Sequence, residues 1–119
     1  SEVLFGSGSA KIGGAGETQL TQLATTLRDI SKKIPAKINW VLRVDGHTDR
    51  IPIRTPKYSS NWELSSARAI SVVKFLTAQG IPAERLAATG FGEHQPLDAR
   101  EDEIAFRRNR RIELKLTQR

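Results

Sequence analysis

A helix bounded at both ends constrains this chain more than any other segment. Ser60-Asn61-Trp62-Glu63 fits a capping box, in which Ser60 and Glu63 satisfy each other's orphan amides. The periodic run then extends to about Gln79. Gly80 suits the left-handed terminal position, and Pro82 follows as a stop. On a helical wheel that starts at Asn61, the apolar arc runs from about 300° to about 120°. It holds Leu64, Ser65, Val72, Phe75, Trp62, Ala69, Val73 and Leu76. A face that wide must be covered by a second layer.

Strand patterns elsewhere supply that layer. Ile38 to Asp45 alternates, with Ile38, Trp40, Leu42 and Val44 on one side. Arg111 to Thr117 alternates again, with Ile112, Leu114 and Leu116 on one face. Glu2 to Phe5 and Arg85 to Thr89 read as short strands. A first helix starts at Glu17, places Leu20, Leu23, Ala24, Leu27 and Ile30 at helical spacing, and stops at Pro35. Asp98 to Arg108 is polar and reads as loop with a short helix. The order is β-α-β-α-β-β. It predicts an α/β (α+β) two-layer sandwich, with two main helices packed on one face of a mixed sheet. At 119 residues the chain is one domain, 1–119, and it reads as a piece of a longer membrane-anchored protein.

Composition narrows the chemistry. With no cysteine, disulfide scaffolds, thiolate metal sites and cysteine nucleophiles are excluded. Only His47 and His94 carry imidazole, so a multi-histidine metal centre is excluded too. No carboxylate pair or nucleophile–base set stands at a recognisable spacing. The expectation is therefore a non-enzyme with no cofactor and no metal. No run approaches the roughly 20 apolar residues that span a bilayer. The formal net charge of +6 favours acidic partners without choosing among them.

The stretch from Gly6 to Gly16 carries five glycines between a strand and a helix, where backbone amides can hold phosphate. The nucleotide fingerprints fail, however. Gly6-Ser7-Gly8 does not continue as G-x-G-x-x-G, and Gly14 stands where a P-loop needs lysine. The expectation is a flexible connector.

Arg68 falls inside the apolar arc of the capped helix. A guanidinium there must find an acceptor, reach water along its own stem, or bear a desolvation cost of several kcal/mol. Asp49 is its natural partner. It follows Asp45-Gly46-His47-Thr48 at the C-terminal end of a strand, the edge where open α/β sheets bind ligands. Asn61, Ser65 and Arg68 share one helical face over two turns, and that face returns to the same rim. An acid and an arginine around a small hollow complement a zwitterion. The alternative is a plain Asp49–Arg68 salt bridge.

Arg107, Arg108, Arg110 and Arg111 form a basic cluster, the footprint of a nucleic-acid binder. A small basic α/β domain that binds nucleic acid through Arg107–Arg111 is thus the alternative function. Phe106 is the only aromatic beside the cluster, which is little for base stacking. His47 lacks the partners of a general base and reads as a hydrogen-bonding support that shapes the loop before Asp49. His94 reads as loop surface. Trp40 and Trp62 read as packing residues rather than sugar-stacking platforms.

Four blocks in order carry a family resemblance. They are Val44-Asp45-Gly46-His47-Thr48-Asp49, Asn61-Trp62-Glu63-Leu64-Ser65-Ser66-Ala67-Arg68-Ala69, Gly90-Phe91-Gly92-Glu93 with Pro96, and Arg108-Asn109-Arg110-Arg111-Ile112-Glu113. Together they resemble the OmpA-like C-terminal domain. Ile51-Pro52-Ile53 and Tyr58-Ser59-Ser60-Asn61-Trp62-Glu63 look most like its MotB branch. The resemblance implies non-covalent binding of peptidoglycan through the meso-diaminopimelate of the stem peptide, anchoring a membrane protein or envelope complex to the wall. It implies that Asp49 and Arg68 hold that residue. Asn61 and Leu64 match positions lining the same pocket, Thr48 flanks it, and His47, Ser65, Arg110 and Arg111 stand as supports. It further implies a periplasmic location in a Gram-negative envelope. Membrane attachment, inner or outer, would run through segments outside this chain. There is room for a homodimer, and no nucleic-acid partner is implied.

Overall fold

The computed structural model describes residues 4–119. The chain runs through α1 (Gly14–Lys33), β1 (Trp40–His47), α2 (Asn61–Ala78), a 3-10 turn (Ala83–Arg85), β2 (Leu86–Gly90), α3 (Glu103–Asn109) and β3 (Arg111–Gln118). The sheet order is β2-β1-β3. β1 pairs in parallel with β2 from Leu42↔Leu86 to Gly46↔Gly90. It pairs antiparallel with β3 from Trp40↔Gln118 to His47↔Arg111. The mixed α+β sandwich is the one the sequence predicts.

Boundaries differ from the sequence reading for identifiable reasons. Of the expected first strand, Glu2 and Val3 lie outside the described residues. Leu4 sits in a turn, and Phe5 makes an isolated antiparallel bridge to Ile12. α1 starts at Gly14 rather than Glu17, because the chain packs Leu4 directly against its first turn. A Cβ on Gly16 would stand 2.8 Å from the Leu4 Cα, a contact only glycine accommodates. β1 begins two residues late because the Ile38 N–H closes a turn onto the Pro35 carbonyl at 3.0 Å. It ends two residues late because β3 pairs with Gly46 and His47.

The core lies between the sheet and its two long helices. Leu20 and Ala24 of α1, Leu42 and Val44 of β1, and Ala69, Val72 and Leu76 of α2 pack with Phe5 and Ile81. Each larger aliphatic side chain enclosed this way contributes roughly 1.5–3 kcal/mol. The cap of α2 is realised with a changed partner. The Ser60 hydroxyl accepts the Trp62 N–H at 3.1 Å and donates to the Glu63 carboxylate at 2.6 Å. Ser59 donates to that carboxylate as well, at 2.7 Å. Hydroxyls thus occupy Glu63, whereas the capping box expected it on a backbone amide. Gly80 takes the left-handed conformation foreseen for it, with φ +98°.

One local device sets the position of everything functional. Gly46 and Gly90 are register partners under the second turn of α2. A Cβ on Gly46 would fall 2.2 Å from the Ser65 carbonyl oxygen, and one on Gly90 2.1 Å from Ser66 Oγ. The helix therefore rests backbone to backbone on the strand ends, which brings Asn61 and Arg68 to the rim where β1 leaves the sheet.

Candidate functional site: a charged cavity at the strand ends

Beyond His47 the chain leaves β1 through Thr48 and Asp49. The Thr48 N–H donates to the Gly92 carbonyl at 2.9 Å, which ties this exit to the turn after β2. The Thr48 hydroxyl donates to the Asp49 carbonyl at 2.8 Å. Asn61 Nδ2 donates to the Ile51 carbonyl at 3.1 Å and to Glu93 Oε1 at 3.2 Å. Asn61 is thus the clip that holds the strand exit against the helix. The Asp49 carboxylate accepts the Ile51 N–H at 3.0 Å on one oxygen and Arg110 Nη1 at 2.6 Å on the other. Arg110 in turn donates to Glu103 at 2.8 Å.

Arg68 is only 6% exposed, so its head does not escape to bulk water. Its Nε donates to the Ser9 carbonyl at 2.8 Å and its Nη2 to the Gly6 carbonyl at 3.2 Å. The guanidinium also lies over the Phe5 ring, 5.1 Å from the centroid. Among the described residues no carboxylate comes within ion-pair distance of it. Burial pulls its pKa below the ordinary arginine value. It nevertheless stays a cation at neutral pH.

These groups surround a cavity of about 570 Å³, within the range that holds small ligands. Thr48, Asp49, Asn61, Leu64, Arg68 and Arg110 all line it. Asp49 and Arg68 therefore share one hollow without being locked to each other, and the plain salt bridge between them does not form. The glycine loop is also part of the site, a role that the connector reading did not include. Gly6, Ser7 and Gly8 line the cavity, and Ile51, Pro52 and Ile53 form an apolar side. Tyr58, Ala10 and Leu64 pack into a small second core with Ile53 behind that wall.

Comparison with known proteins places this arrangement. The OmpA family pattern matches residues 4–110. The chain belongs to the OmpA family. It is 37% identical over 113 residues to the uncharacterized protein YtxE of Bacillus subtilis, covering 94% of this chain and 43% of that one. A crystal structure of a MotB-like protein from Desulfovibrio vulgaris superposes with a TM-score of 0.84 at 28% identity, covering 99% of this chain and 69% of that chain. The cell wall anchor of the T6SS from Pseudomonas aeruginosa superposes with a TM-score of 0.82 at 33% identity, covering 98% of this chain and 76% of that one. The chain thus spans less than half the length of YtxE.

Within this OmpA-family domain three of the expected supports lie elsewhere. His47 is the last residue of β1 and points to the sheet face opposite the helices. There it stacks on Phe91 with ring centroids 5.0 Å apart. Both its nitrogens are buried without a hydrogen-bond partner among the described residues, so it is not a hydrogen-bonding support for the loop. Burial first, and then Arg111, lower its pKa. Ser65 works inside the fold: its hydroxyl accepts the Gly92 N–H at 2.9 Å and donates to the Trp62 carbonyl at 3.1 Å. Arg111 turns away from the cavity and donates to the Gln95 carbonyl at 2.9 Å and to Glu113. Of the two adjacent arginines, only Arg110 supports Asp49.

Two further corrections concern surface residues. Trp62 is 51% exposed, not core-facing, because the first turn of α2 projects past the sheet. Trp40 does pack against the core, with the Arg85 guanidinium 5.0 Å from its ring centroid. The basic cluster is not a free strip. Arg108 meets Asp98 at 3.3 Å, Arg107 meets Glu103 at 3.9 Å, and Arg110 and Arg111 have the acids already named. The neighbouring Arg100 holds Asp98 at 2.7 Å and lowers its pKa to about 2. A phosphate backbone would have to compete with those carboxylates for every arginine. Among the described residues no group of three or more His, Cys, Asp or Glu side chains is placed to hold a metal.

Proposed function

We infer that the cavity binds the diaminopimelate of a peptidoglycan stem peptide and so tethers a larger envelope protein to the cell wall. The single observation that carries this reading is Arg68. It is a buried cation whose protein partners are two neutral carbonyls and a ring, and it opens on a hollow large enough for an amino acid. A carboxylate entering there supplies the missing counter-charge through a charge-assisted, two-pronged contact. Across the cavity Asp49, held by Arg110 and the Ile51 amide, keeps acceptor capacity for an ammonium group. Diaminopimelate carries both charges at one end of its side chain; lysine carries only the ammonium. Kinship with a MotB-like protein and with a cell wall anchor supports the anchoring role and a position facing the periplasm. The kinship reaches Bacillus subtilis, so it does not tie the chain to Gram-negative envelopes.

Co-sedimentation with purified sacculi tests the reading. The domain should pellet with diaminopimelate-type walls and stay in solution with lysine-type walls. Asp49→Ala and Arg68→Ala should each abolish pelleting. Arg68→Lys should fail as well, since one ammonium does not reproduce the fork. Pelleting of the Asp49→Ala/Arg68→Ala double variant at the level of the parent would refute the assignment.

A further inference from the structure

An aromatic ledge adjoins the cavity and has no part in the contacts described so far. Trp62 is half exposed at the start of α2, and its indole stacks on the exposed imidazole of His94 with centroids 4.7 Å apart and 28° between planes. The ledge is held in place from below. Gly92, at φ +62°, passes under both rings, and a Cβ there would meet His94 at 3.4 Å and Trp62 at 3.6 Å. The same glycine binds Thr48 through its carbonyl and Ser65 through its N–H, both at 2.9 Å. Glu93, the next residue, accepts from Asn61 at 3.2 Å. The turn that carries the ledge is therefore fastened to the rim of the cavity, and Trp62 directly follows the cavity residue Asn61.

Exposed rings held on a fastened turn beside a polar rim suit a ligand that is apolar on its face and polar on its edge. A protein partner would bring hundreds of Å² of apolar contact, and two rings do not provide that. A pyranose ring fits: its C–H face covers an indole while the hydroxyl and amide groups on its edge stay in water. In a wall stem peptide two residues separate diaminopimelate from the amino sugar, which makes three Cα-to-Cα steps or roughly 11 Å of extended chain, so the sugar is carried outside the cavity that holds the diaminopimelate.

We propose that the Trp62–His94 ledge is a saccharide subsite that receives the amino sugar bearing the stem peptide bound in the cavity. The proposal rests on the diaminopimelate reading, and the test separates the two. Calorimetry compares two probes: the sugar-free tripeptide ending in diaminopimelate, and the same peptide on its disaccharide. The parent should bind the sugar-bearing probe about two- to tenfold tighter, the scale of one aromatic contact. Trp62→Ala should erase that difference, and Trp62→Phe should keep part of it. Neither variant should change the affinity for the tripeptide. The ledge is overturned, and the cavity reading left standing, if the sugar adds nothing to the parent's affinity or if Trp62→Ala retains the full gain. An equal loss of both probes in Trp62→Ala would assign Trp62 a purely structural role and overturn the subsite. Failure of the parent to bind either probe would overturn the cavity reading and the subsite together.

Discussion

The sheet face turned away from the helices and the cavity at the strand ends both enclose charge. On that outer face Asp45 is wholly inaccessible, and Arg43 clasps it with two hydrogen bonds of 2.7 and 2.9 Å. Its register partner across β3 is another acid, Glu113, which takes Arg111 from its own strand. Charges there are closed off in pairs along each strand. In the cavity Arg68 is nearly as enclosed but has only neutral protein partners, with space in front of it. Burial alone thus does not separate a structural charge from a binding one. The identity of the partner does. A guanidinium already matched by a carboxylate, as that of Arg43 is by Asp45, has little left to offer a ligand carboxylate, whereas one held only by dipoles does.

The sharpest way to break this comparison is to remove each charge in turn. Arg68→Met keeps the stem volume and loses the cation. Affinity for the diaminopimelate tripeptide should fall by at least about 30-fold, as when one partner of a buried charged contact is deleted. The melting temperature should move little, because water entering the cavity can satisfy the Gly6 and Ser9 carbonyls while the desolvation cost disappears. A stability loss matching the binding loss would make Arg68 a structural ion like Asp45. Asp45→Ala should show the opposite pattern. Stability measured by urea unfolding should drop by about 1–3 kcal/mol, the cost of disturbing an enclosed polar group, with tripeptide affinity unchanged.

The two regions also differ in how far the sequence reveals them. Asp49 and Arg68 are legible because a strand end and a helical wheel each fix a direction, and both directions lead to one rim. The frame of α2 is legible for the same kind of reason, since Ser60, Gly80 and Pro82 are local signals. The carbonyls of Gly6 and Ser9 are not legible, because backbone acceptors leave no mark in the side-chain pattern. Arg110 and Arg111 are neighbours at the start of one strand, so a shift of one residue decides which meets Asp49. The strand reading stops β1 at Asp45, and this hides that His47 continues the ladder onto the outer face. Trp62 belongs to the apolar arc on the wheel, but a wheel does not record where the sheet beneath a helix ends.

His47 offers a smaller test of the closed face. Its folded pKa is lowered, so the folded state binds fewer protons than the unfolded chain as pH falls below about 6.5. The stability tied to the neutral ring is complete above that pH and is lost as pH falls toward the folded value. Phe91 stacks on the ring, Arg111 and Lys115 oppose its protonation, and Glu113, 3.8 Å away, and Asp45 favour it. Unfolding free energy should therefore decline between pH 7 and pH 5, by no more than about 1.4 kcal/mol per pH unit for one proton. His47→Phe should flatten that part of the curve. An unchanged slope in the variant would assign the pH dependence to another group.

The smallest effect is expected where charge is neither enclosed nor unmatched. Arg107 and Arg108 each keep 62% of the side chain exposed, and each faces an acid on or beside α3. Pairs of this kind contribute little, because water screens them and two long side chains must be ordered to form them. The Arg107→Ala/Arg108→Ala double variant should leave the melting temperature within about 2 °C of the parent. Its tripeptide affinity should stay within about twofold, since neither residue lines the cavity. Repeating the affinity measurement from 50 to 500 mM salt sharpens the point. If binding runs through the enclosed Arg68, the salt dependence should be shallow and alike in parent and variant. A steep dependence that the double substitution removes would transfer the binding role to the exposed cluster, and the contrast between open and closed charges would then no longer mark the site.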